Sequence, residues 1–197
     1  DRFRLDMAHL ARMVAEDRSA GFNPIAVCGN AGTTNTGAVD PLDAMADYCE
    51  TEGIWFHIDA AYGGFAVLTE HGKKLLEGIE RADSIAMDAH KWLFQPFEVG
   101  CLMVKDVRKL EAAFSVHPEY LQDTRWGADH PNFGDRGLQL SRSFRALKIW
   151  MSIQTFGMVA FRRAVGRGGP QAVASDWASD RGPPSRGRRR RAVGAQN

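Results

Sequence analysis

Four short apolar runs punctuate the first half of this 197-residue chain. Each is four to six residues long and rich in Ile, Val, Phe or Met, which is the length and composition of a buried strand. Polar residues, glycine and proline bound these runs on both sides. The pattern predicts strands at 25–28, 54–59, 84–87 and 99–104.

Segments with helical spacing of apolar residues lie between the predicted strands. Asp6 can cap a first helix, and Asp40 followed by Pro41 is a strong start for a second, with Asp at the N-cap and Pro at N1. A shorter helix is predicted over 73–81, weakened by Gly78. Strands alternating with helices predict an α/β fold with a mostly parallel sheet, the fourth strand being a candidate antiparallel neighbour.

A longer helix is predicted over 137–156, ended by Gly157. Its apolar stripe is assigned to core packing and comprises Leu140, Phe144, Leu147, Trp150 and Met151. From about residue 167 the composition changes to Gly, Pro and Arg without periodicity. Such a segment cannot bury enough apolar surface to offset its ordering entropy. We therefore predict a folded domain over 1–166 and a basic, disordered tail over 167–197.

Polar residues gather where the predicted strands end. The loop 29–37 is rich in glycine and hydroxyls and contains Thr34, the second run ends at Asp59, and Lys91 follows the third. Open α/β sheets bind ligands at the carboxyl ends of their strands, where backbone amides and side chains converge. The sequence therefore predicts a ligand site at this edge of the sheet.

The stretch Asp88-Ala89-His90-Lys91 interrupts apolar sequence on both sides. A desolvated lysine has a depressed pKa and becomes a nucleophilic amine suited to Schiff-base formation. In the alternative interpretation, Lys91 lies in solvent at a strand end and His90 caps a neighbouring group. His90 could otherwise stack, transfer protons or fix a substrate carboxylate.

A lysine that bonds to an aldehyde cofactor needs a partner that makes the cofactor an electron sink. For a pyridine ring this partner is a carboxylate that keeps the ring nitrogen protonated. Asp59 suits that task, although it could instead be an N-cap for the segment after it. Thr34 and the backbone amides of its loop could bind a phosphate. His57, in the middle of a strand, is interpreted as a hydrogen-bonded core histidine.

Composition narrows the class of protein further. The formal net charge is +1, but residues 170–197 carry +4 and the rest of the chain −3, so the body gives no reason to expect nucleic-acid or membrane binding. Three cysteines without metal-ligand spacing suit a reducing cytosol. No signal peptide or membrane-spanning run is found. Because the first residue is Asp, we expect the chain to begin inside a longer one.

Six motifs along residues 1–165 resemble, in their sequence and their order, those of the group II pyridoxal phosphate-dependent decarboxylases. The aromatic branch of that family looks most similar, because of His-Lys-Trp and Phe-Arg-Ala-Leu-Lys. The motifs are Gly-Thr-Thr at 32–34, His-Ile-Asp-Ala-Ala-Tyr at 57–62, Ala-Asp-Ser at 82–84, His-Lys-Trp at 90–92, Pro-Glu-Tyr-Leu at 118–121 and Arg-Ser-Phe-Arg-Ala-Leu-Lys-Ile-Trp at 142–150.

The resemblance implies part of the large domain of the fold type I, aspartate aminotransferase-like fold, with pyridoxal 5′-phosphate as cofactor. Lys91 would carry the internal aldimine and Asp59 would contact the pyridinium nitrogen. Thr34 would help to hold the cofactor, Ala61 would pack near its ring, and His90 would lie beside the Schiff base as a catalytic residue with Lys91. The intact enzyme would be a homodimer.

Asp88 and Ala89 depart from the family pattern, since relatives often have asparagine and proline there. The asparagine contacts the phosphate in relatives. An aspartate beside a phosphate is electrostatically unfavourable unless it contacts the phosphate through its backbone amide. Asp88 is kept as a candidate cofactor contact on that condition.

Residues 122–136 occupy the position of the family's flexible catalytic loop. Relatives usually have a tyrosine there that delivers a proton. This stretch has no tyrosine, and Phe133 is the aromatic residue nearest to the expected position. Either another group delivers the proton, or the reaction becomes an oxidative deamination to an aldehyde, or the stretch is an ordinary surface loop.

The predicted activity is decarboxylation of an L-amino acid, with an aromatic side chain expected from the resemblance, to its amine and CO₂. One alternative is a pyridoxal phosphate-dependent aldehyde synthase. Because the family's upstream phosphate-binding loop and C-terminal domain are not found in the sequence, the other alternative is a non-catalytic remnant or binding fragment.

Overall fold

Four strands form one sheet in the computed structural model, which describes residues 3–115 and 131–168. The strands are β1 (Ala26–Asn30), β2 (Trp55–Asp59), β3 (Ser84–Asp88) and β4 (Gly100–Val104). Their order is β1-β2-β3-β4; the first two pairs are parallel and β3 with β4 is antiparallel. The predicted α/β class, strand positions and antiparallel fourth strand are confirmed.

Six α-helices accompany the sheet in the described residues. They are α1 (Met7–Ser19), α2 (Leu42–Glu52), α3 (Glu70–Leu75), α4 (Ala89–Trp92), α5 (Val107–Phe114) and α6 (Ala146–Gly168). Short 3₁₀ turns span Gly64–Leu68, Ile79–Arg81 and Phe133–Arg136. Within this part of the chain, none of the helices has the length and apolar character that crossing a bilayer requires.

The core lies between α2 and one face of the sheet. Phe56 and Ile58 alternate along β2 with 2% and 0% of their surface exposed, and Leu42 and Met45 of α2 are equally buried. Burying a side chain of this size stabilises the fold by about 1.5–3 kcal/mol. His57 points to the other face, where its Nδ1 lies 2.7 Å from the Ser84 hydroxyl. His57 is hydrogen-bonded as predicted, but it is only half-buried, so its assignment to the core is wrong.

A second apolar cluster supports α4. Ala89 and Leu93 pack with Val99 and with Phe161 from the C-terminal half of α6, and all four are buried. α6 is also tied to the segment after α4, because the Ser152 hydroxyl donates to Gln95 Oε1 at 3.0 Å. These contacts fix the position of the short helix that carries the predicted lysine.

The two predicted helix caps have different outcomes. Asp6 caps α1 as expected, accepting hydrogen bonds from the amides of Ala8 and His9. Asp40 does not cap α2; that part of the prediction is wrong. Its buried carboxylate instead accepts from Leu5 N at 2.7 Å and from Asn30 N at 2.8 Å, and α2 starts without a side-chain cap.

The continuous helix predicted over 73–81 is wrong, because α3 ends at Leu75 and a 3₁₀ turn follows. Gly78 separates the two with φ of 91°, a conformation that L side chains rarely adopt. A Cβ at this glycine would lie 2.5 Å from the Asp43 amide nitrogen. The chain therefore turns at Gly78 to pack against α2, and the helix does not continue through it.

The long helix predicted over 137–156 is displaced. Residues 137–145 are not helical, and α6 begins at Ala146. Gly157 does interrupt it, with φ of 74° and ψ of 153°, but the helix resumes and continues to Gly168. The predicted core stripe is also wrong, since all five of its side chains are exposed, from 43% for Leu147 to 73% for Phe144. The predicted tail, apart from 167 and 168, and residues 122–130 of the predicted loop lie outside the described residues.

Candidate active site

The carboxyl ends of the three parallel strands meet at one edge of the sheet. Asn30, the last residue of β1, pairs with Asp59, the last residue of β2, and Asp59 pairs with Ala86 two residues before the end of β3. The loop after β1, the turn after β2 and helix α4 therefore start side by side. The sequence-predicted residues Thr34, Asp59, Ala61, Asp88, His90 and Lys91 are all brought to this edge.

The loop that carries Thr34 is packed against the turn that follows Asp59. Gly32, with φ of 88°, lies so close to Gly63 that a Cβ on Gly32 would be 2.8 Å from Gly63 Cα. A Cβ on Gly63 would be 2.4 Å from the Ala31 carbonyl oxygen. Thr33 and Thr36 hold the loop through hydroxyls 2.6 Å apart, while Thr34 is exposed. The backbones of two loops thus form one wall, with the Thr34 hydroxyl available to a ligand.

Asp59 keeps part of its carboxylate available at this edge. Its Oδ1 accepts from Ala61 N at 3.0 Å, and its backbone carbonyl accepts from Ala31 N at 2.9 Å. The side chain thus orders the turn after β2, as the capping interpretation expects. Among the described residues no donor reaches Oδ2, and the residue is exposed. Oδ2 is therefore free to accept a hydrogen bond from a protonated ligand nitrogen, while Oδ1 is held by the Ala61 amide.

Lys91 lies in the single turn of α4 and forms an ion pair with Asp88. Its Nζ is 2.9 Å from Asp88 Oδ2, and the two side chains are 35% and 26% exposed. The expectation of a desolvated lysine is wrong for this structure, because the amine is one-third exposed and faces a carboxylate. The amine is reachable from the sheet edge, and a partner holds it there.

His90 is held by the backbone that leads into β4. Its Nδ1 lies 3.1 Å from Val99 N and 3.0 Å from Val99 O, and its Nε2 lies 3.9 Å from Asp88 Oδ2. The Phe97 ring packs edge-on against the imidazole with centroids 5.0 Å apart. Asp88 N donates to Ala61 O at 3.3 Å, so its amide is already engaged and the condition set for a phosphate contact is not met here.

Cysteine thiols near this edge are kept in their neutral form. Burial is the main cause that raises the pKa of Cys28 and of Cys101, and the negative charges of Asp59 and Asp88 respectively raise them further. The thiolate is the nucleophilic form of cysteine. Neither thiol is therefore in its nucleophilic form at neutral pH.

Sequence reasoning did not predict the contacts that support the site. The Tyr62 ring packs edge-on against Trp92, with centroids 5.2 Å apart, and so links the turn after β2 to α4. Val99 anchors His90 through its backbone, which no side-chain pattern reveals. The successive glycines Gly63 and Gly64 after a polar strand end were the available signal for the close backbone contact.

Phe133, the residue considered in place of the loop tyrosine, lines a cavity. Its ring is 6.0 Å from the guanidinium carbons of both Arg136 and Arg142. The cavity has a volume of about 790 Å³ and is lined by Glu98, Gly100, Phe133 and residues 139–146. Gly100 also faces Asp88, since a Cβ there would be 3.3 Å from Asp88 Oδ1. The cavity wall thus touches the residue that pairs with Lys91.

This chain belongs to the pyridoxal-dependent decarboxylase family. The family model, described as the pyridoxal-dependent decarboxylase conserved domain, matches residues 1–174. The chain is 46% identical over 169 residues to an aromatic-L-amino-acid decarboxylase of Bacillus atrophaeus, covering 85% of this chain and 35% of that one. It is 38% identical over 164 residues to a phenylacetaldehyde synthase of Petunia hybrida, covering 83% and 32%.

Solved structures agree with the family assignment. The crystal structure of Oryza sativa TDC with PLP and tryptamine superposes with a TM-score of 0.76 at 36% identity, covering 82% of this chain and 33% of that chain. The α/β fold is thus that of the fold type I, pyridoxal phosphate-dependent decarboxylases, and the predicted family and its cofactor are confirmed. The chain spans about a third of the length of the relatives it matches.

The residues at the sheet edge fit pyridoxal phosphate by their chemistry. Lys91 offers an amine to the aldehyde, Asp59 Oδ2 offers a carboxylate oxygen to the ring nitrogen, and Thr34 offers a hydroxyl. The Gly32–Gly63 contact leaves a wall without side chains, which a Cβ at either position would disrupt. This donor set is the one that an aldehyde-bearing pyridine cofactor requires.

Proposed function

We propose that the protein containing this chain decarboxylates an aromatic L-amino acid to its amine and CO₂, with Lys91 as the residue that bonds to the cofactor. One observation carries the proposal: an accessible lysine amine and a carboxylate with a free oxygen start from neighbouring strand ends of a family fold. The similarity to an aromatic-L-amino-acid decarboxylase supports the aromatic substrate.

When bound, pyridoxal phosphate supplies an electron-accepting ring that weakens the bond between the α-carbon and its carboxylate. Lys91 would be the residue that bonds to the cofactor, giving up its ion pair with Asp88 to do so. Asp59 Oδ2 holds a proton on the ring nitrogen, while Oδ1 stays fixed by Ala61 N. Thr34 would bind the phosphate through its hydroxyl, and Ala61 would lie near the ring.

His90 is proposed to act beside the Lys91 amine in substrate positioning or proton transfer. Its ring is held by Val99 on one side and lies near Asp88 on the other. It is therefore oriented without being enclosed, with its side chain 18% exposed. In this proposal a proton can be delivered at Nε2, where relatives rely on a loop tyrosine.

An aldehyde synthase is the second candidate function. Two observations favour it: the stretch 122–136 lacks tyrosine, and a phenylacetaldehyde synthase is 38% identical to this chain. In that case the substrate would lose CO₂ and be oxidised by dissolved dioxygen in the presence of water, giving the aldehyde, ammonia and hydrogen peroxide. A non-catalytic remnant is the third outcome that an activity measurement distinguishes.

We propose that the intact protein is a homodimer. The exposed apolar residues of the α6 region support this, because large exposed apolar patches mark interaction surfaces; they include Phe144, Trp150, Met151 and Phe156. We also propose a cytosolic location, because the three cysteines are free thiols, as is usual in a reducing compartment.

Product analysis tests the proposed activity. The intact protein is incubated with pyridoxal phosphate and candidate amino acids, and CO₂, amine, aldehyde and keto acid are measured. Amine with equimolar CO₂ supports the decarboxylase, aldehyde with CO₂ supports the synthase, and keto acid without CO₂ contradicts both. Lys91→Ala should abolish product. Lys73→Ala is the matched control, because Lys73 forms the same i,i+3 ion pair with Glu70 away from the site.

A further inference from the structure

The hydrogen bonds around Val99 determine which nitrogen of His90 carries the proton. The Val99 carbonyl oxygen already accepts from Ala89 N at 2.9 Å. The amide of Val99, a residue only 2% exposed, meets a single acceptor among the described residues, which is His90 Nδ1 at 3.1 Å. A buried amide without a partner costs about 1–3 kcal/mol. Nδ1 is therefore the acceptor, and a neutral His90 carries its proton on Nε2.

The proton-bearing Nε2 and the Lys91 ammonium face the same oxygen. Asp88 Oδ2 lies 2.9 Å from Lys91 Nζ and 3.9 Å from His90 Nε2. The first distance is a direct charge-assisted contact, whereas the second is too long for a hydrogen bond. The backbone of Asp88 is held by the hydrogen bond that its amide donates to the Ala61 carbonyl oxygen. The carboxylate thus has one partner in contact and a second within reach of a small side-chain rotation.

We propose that Asp88 is a positioning residue whose Oδ2 exchanges Lys91 for His90 when the Lys91 amine is engaged. The argument rests on the proposed role of Lys91. An amine bonded to the cofactor no longer compensates the three-quarters-buried carboxylate, which must then find another donor. His90 Nε2, 3.9 Å from Asp88 Oδ2, is a donor already close to it. The exchange fixes the imidazole with its proton beside the reacting lysine.

Nitrogen-15 NMR of the histidine side chains tests this inference, with His90→Gln used to assign the signals. In the native chain without cofactor, His90 should show an unprotonated Nδ1 and a protonated Nε2. Lys91→Met removes the ammonium, so Nε2 should form the hydrogen bond to Asp88. Exchange of the Nε2 proton with water should then slow about twofold to tenfold, the factor expected of one added hydrogen bond.

Two control variants make the result specific to Asp88. Lys73→Met, which disrupts the other i,i+3 ion pair, should leave the His90 exchange rate unchanged. Adding Asp88→Ala to Lys91→Met should restore the native exchange rate. Asp88→Asn serves in its place if the alanine variant does not fold, because it keeps the shape of the side chain and weakens the acceptor.

A proton on Nδ1 in the native chain would overturn the inference, and so would an exchange rate that Lys91→Met leaves unchanged. Adding pyridoxal phosphate to the native chain should reproduce the slowing seen with Lys91→Met. If the cofactor forms no Lys91-dependent absorbance band, the proposed function fails while the Lys91→Met comparison still decides the role of Asp88.

Discussion

Replacing Gly32 with alanine should destabilise the site edge by more than the backbone conformation alone explains. Gly32 has φ of 88°, and its added Cβ would lie 2.8 Å from Gly63 Cα and 3.4 Å from Gly63 N. Both contacts are with backbone, so no side-chain rotation relieves them. Gly21 is a matched control, because its φ is 87° and nothing lies within 4 Å of its added Cβ.

The magnitude follows from two separate costs. A left-handed conformation costs an L residue about 1–2 kcal/mol, and Gly21→Ala and Gly32→Ala share this cost. They also share the reduction in unfolded-state entropy, about 0.4–1 kcal/mol in the opposite direction. Forcing a methyl group into a packed contact adds about 1–3 kcal/mol, and this applies to Gly32 alone. Gly32→Ala should therefore be less stable than Gly21→Ala by about 1–3 kcal/mol.

Urea unfolding of the two variants and the native chain measures the difference directly. Affinity for pyridoxal phosphate provides a second readout, since a displaced loop moves Thr34; Gly32→Ala should weaken binding and Gly21→Ala should not. Equal destabilisation by the two variants would refute the proposed packing of the loop against the turn after Asp59. If Gly32→Ala is clearly destabilised but binds pyridoxal phosphate with normal affinity, the assignment of Thr34 to the phosphate site is wrong.

Three further predictions concern the stability of the chain. Asp40→Asn should lower the free energy of unfolding by about 2–3 kcal/mol, because an amide replaces a buried carboxylate that accepts several backbone and side-chain N–H groups; urea unfolding with no change would contradict this assignment. Burial raises the pKa of the Cys49 thiol from 9.0 to about 11, so its stabilising contribution is full below pH 9.0 and is lost as the pH rises towards about 11. Cys49→Ala should flatten the alkaline part of the stability curve, and an unchanged slope would argue against this cause. Phe56→Ala should cost about 3–5 kcal/mol and Phe144→Ala less than about 0.5 kcal/mol; similar losses in denaturant unfolding would mean that the α6 region is packed after all.

The sheet was predictable because its physical causes are local. β2 alternates buried Phe56 and Ile58 with His57 and Asp59, and short apolar runs separated by helices leave few arrangements other than parallel pairing. The position of the site followed from that topology, since the carboxyl ends of parallel strands share one edge. The motif at 57–62 and the His-Lys-Trp motif then indicated the chemistry.

The contacts that determine the detailed site are not local and were not predictable. Asp40 has the sequence context of a helix cap, yet its carboxylate accepts hydrogen bonds from the amides of Leu5 and Asn30. Leu5 is 35 residues away in the sequence, and no sequence pattern indicates either partner. The pairing of Lys91 with Asp88 depends on α4 starting directly at the end of β3. Periodicity identified an apolar stripe at 140–151 but could not tell a core face from an exposed one, because both have the same pattern.

The most direct test of the central claim is a pyridoxal phosphate titration of the chain, followed by visible absorbance. Lys91→Ala and Lys73→Ala are compared with the native chain, because each removes one lysine from an i,i+3 ion pair. We predict a saturable Schiff-base band in the native chain and in Lys73→Ala, and none in Lys91→Ala. A band of equal strength in Lys91→Ala, or no band in the native chain, would contradict the claim that Lys91 at this sheet edge holds the cofactor.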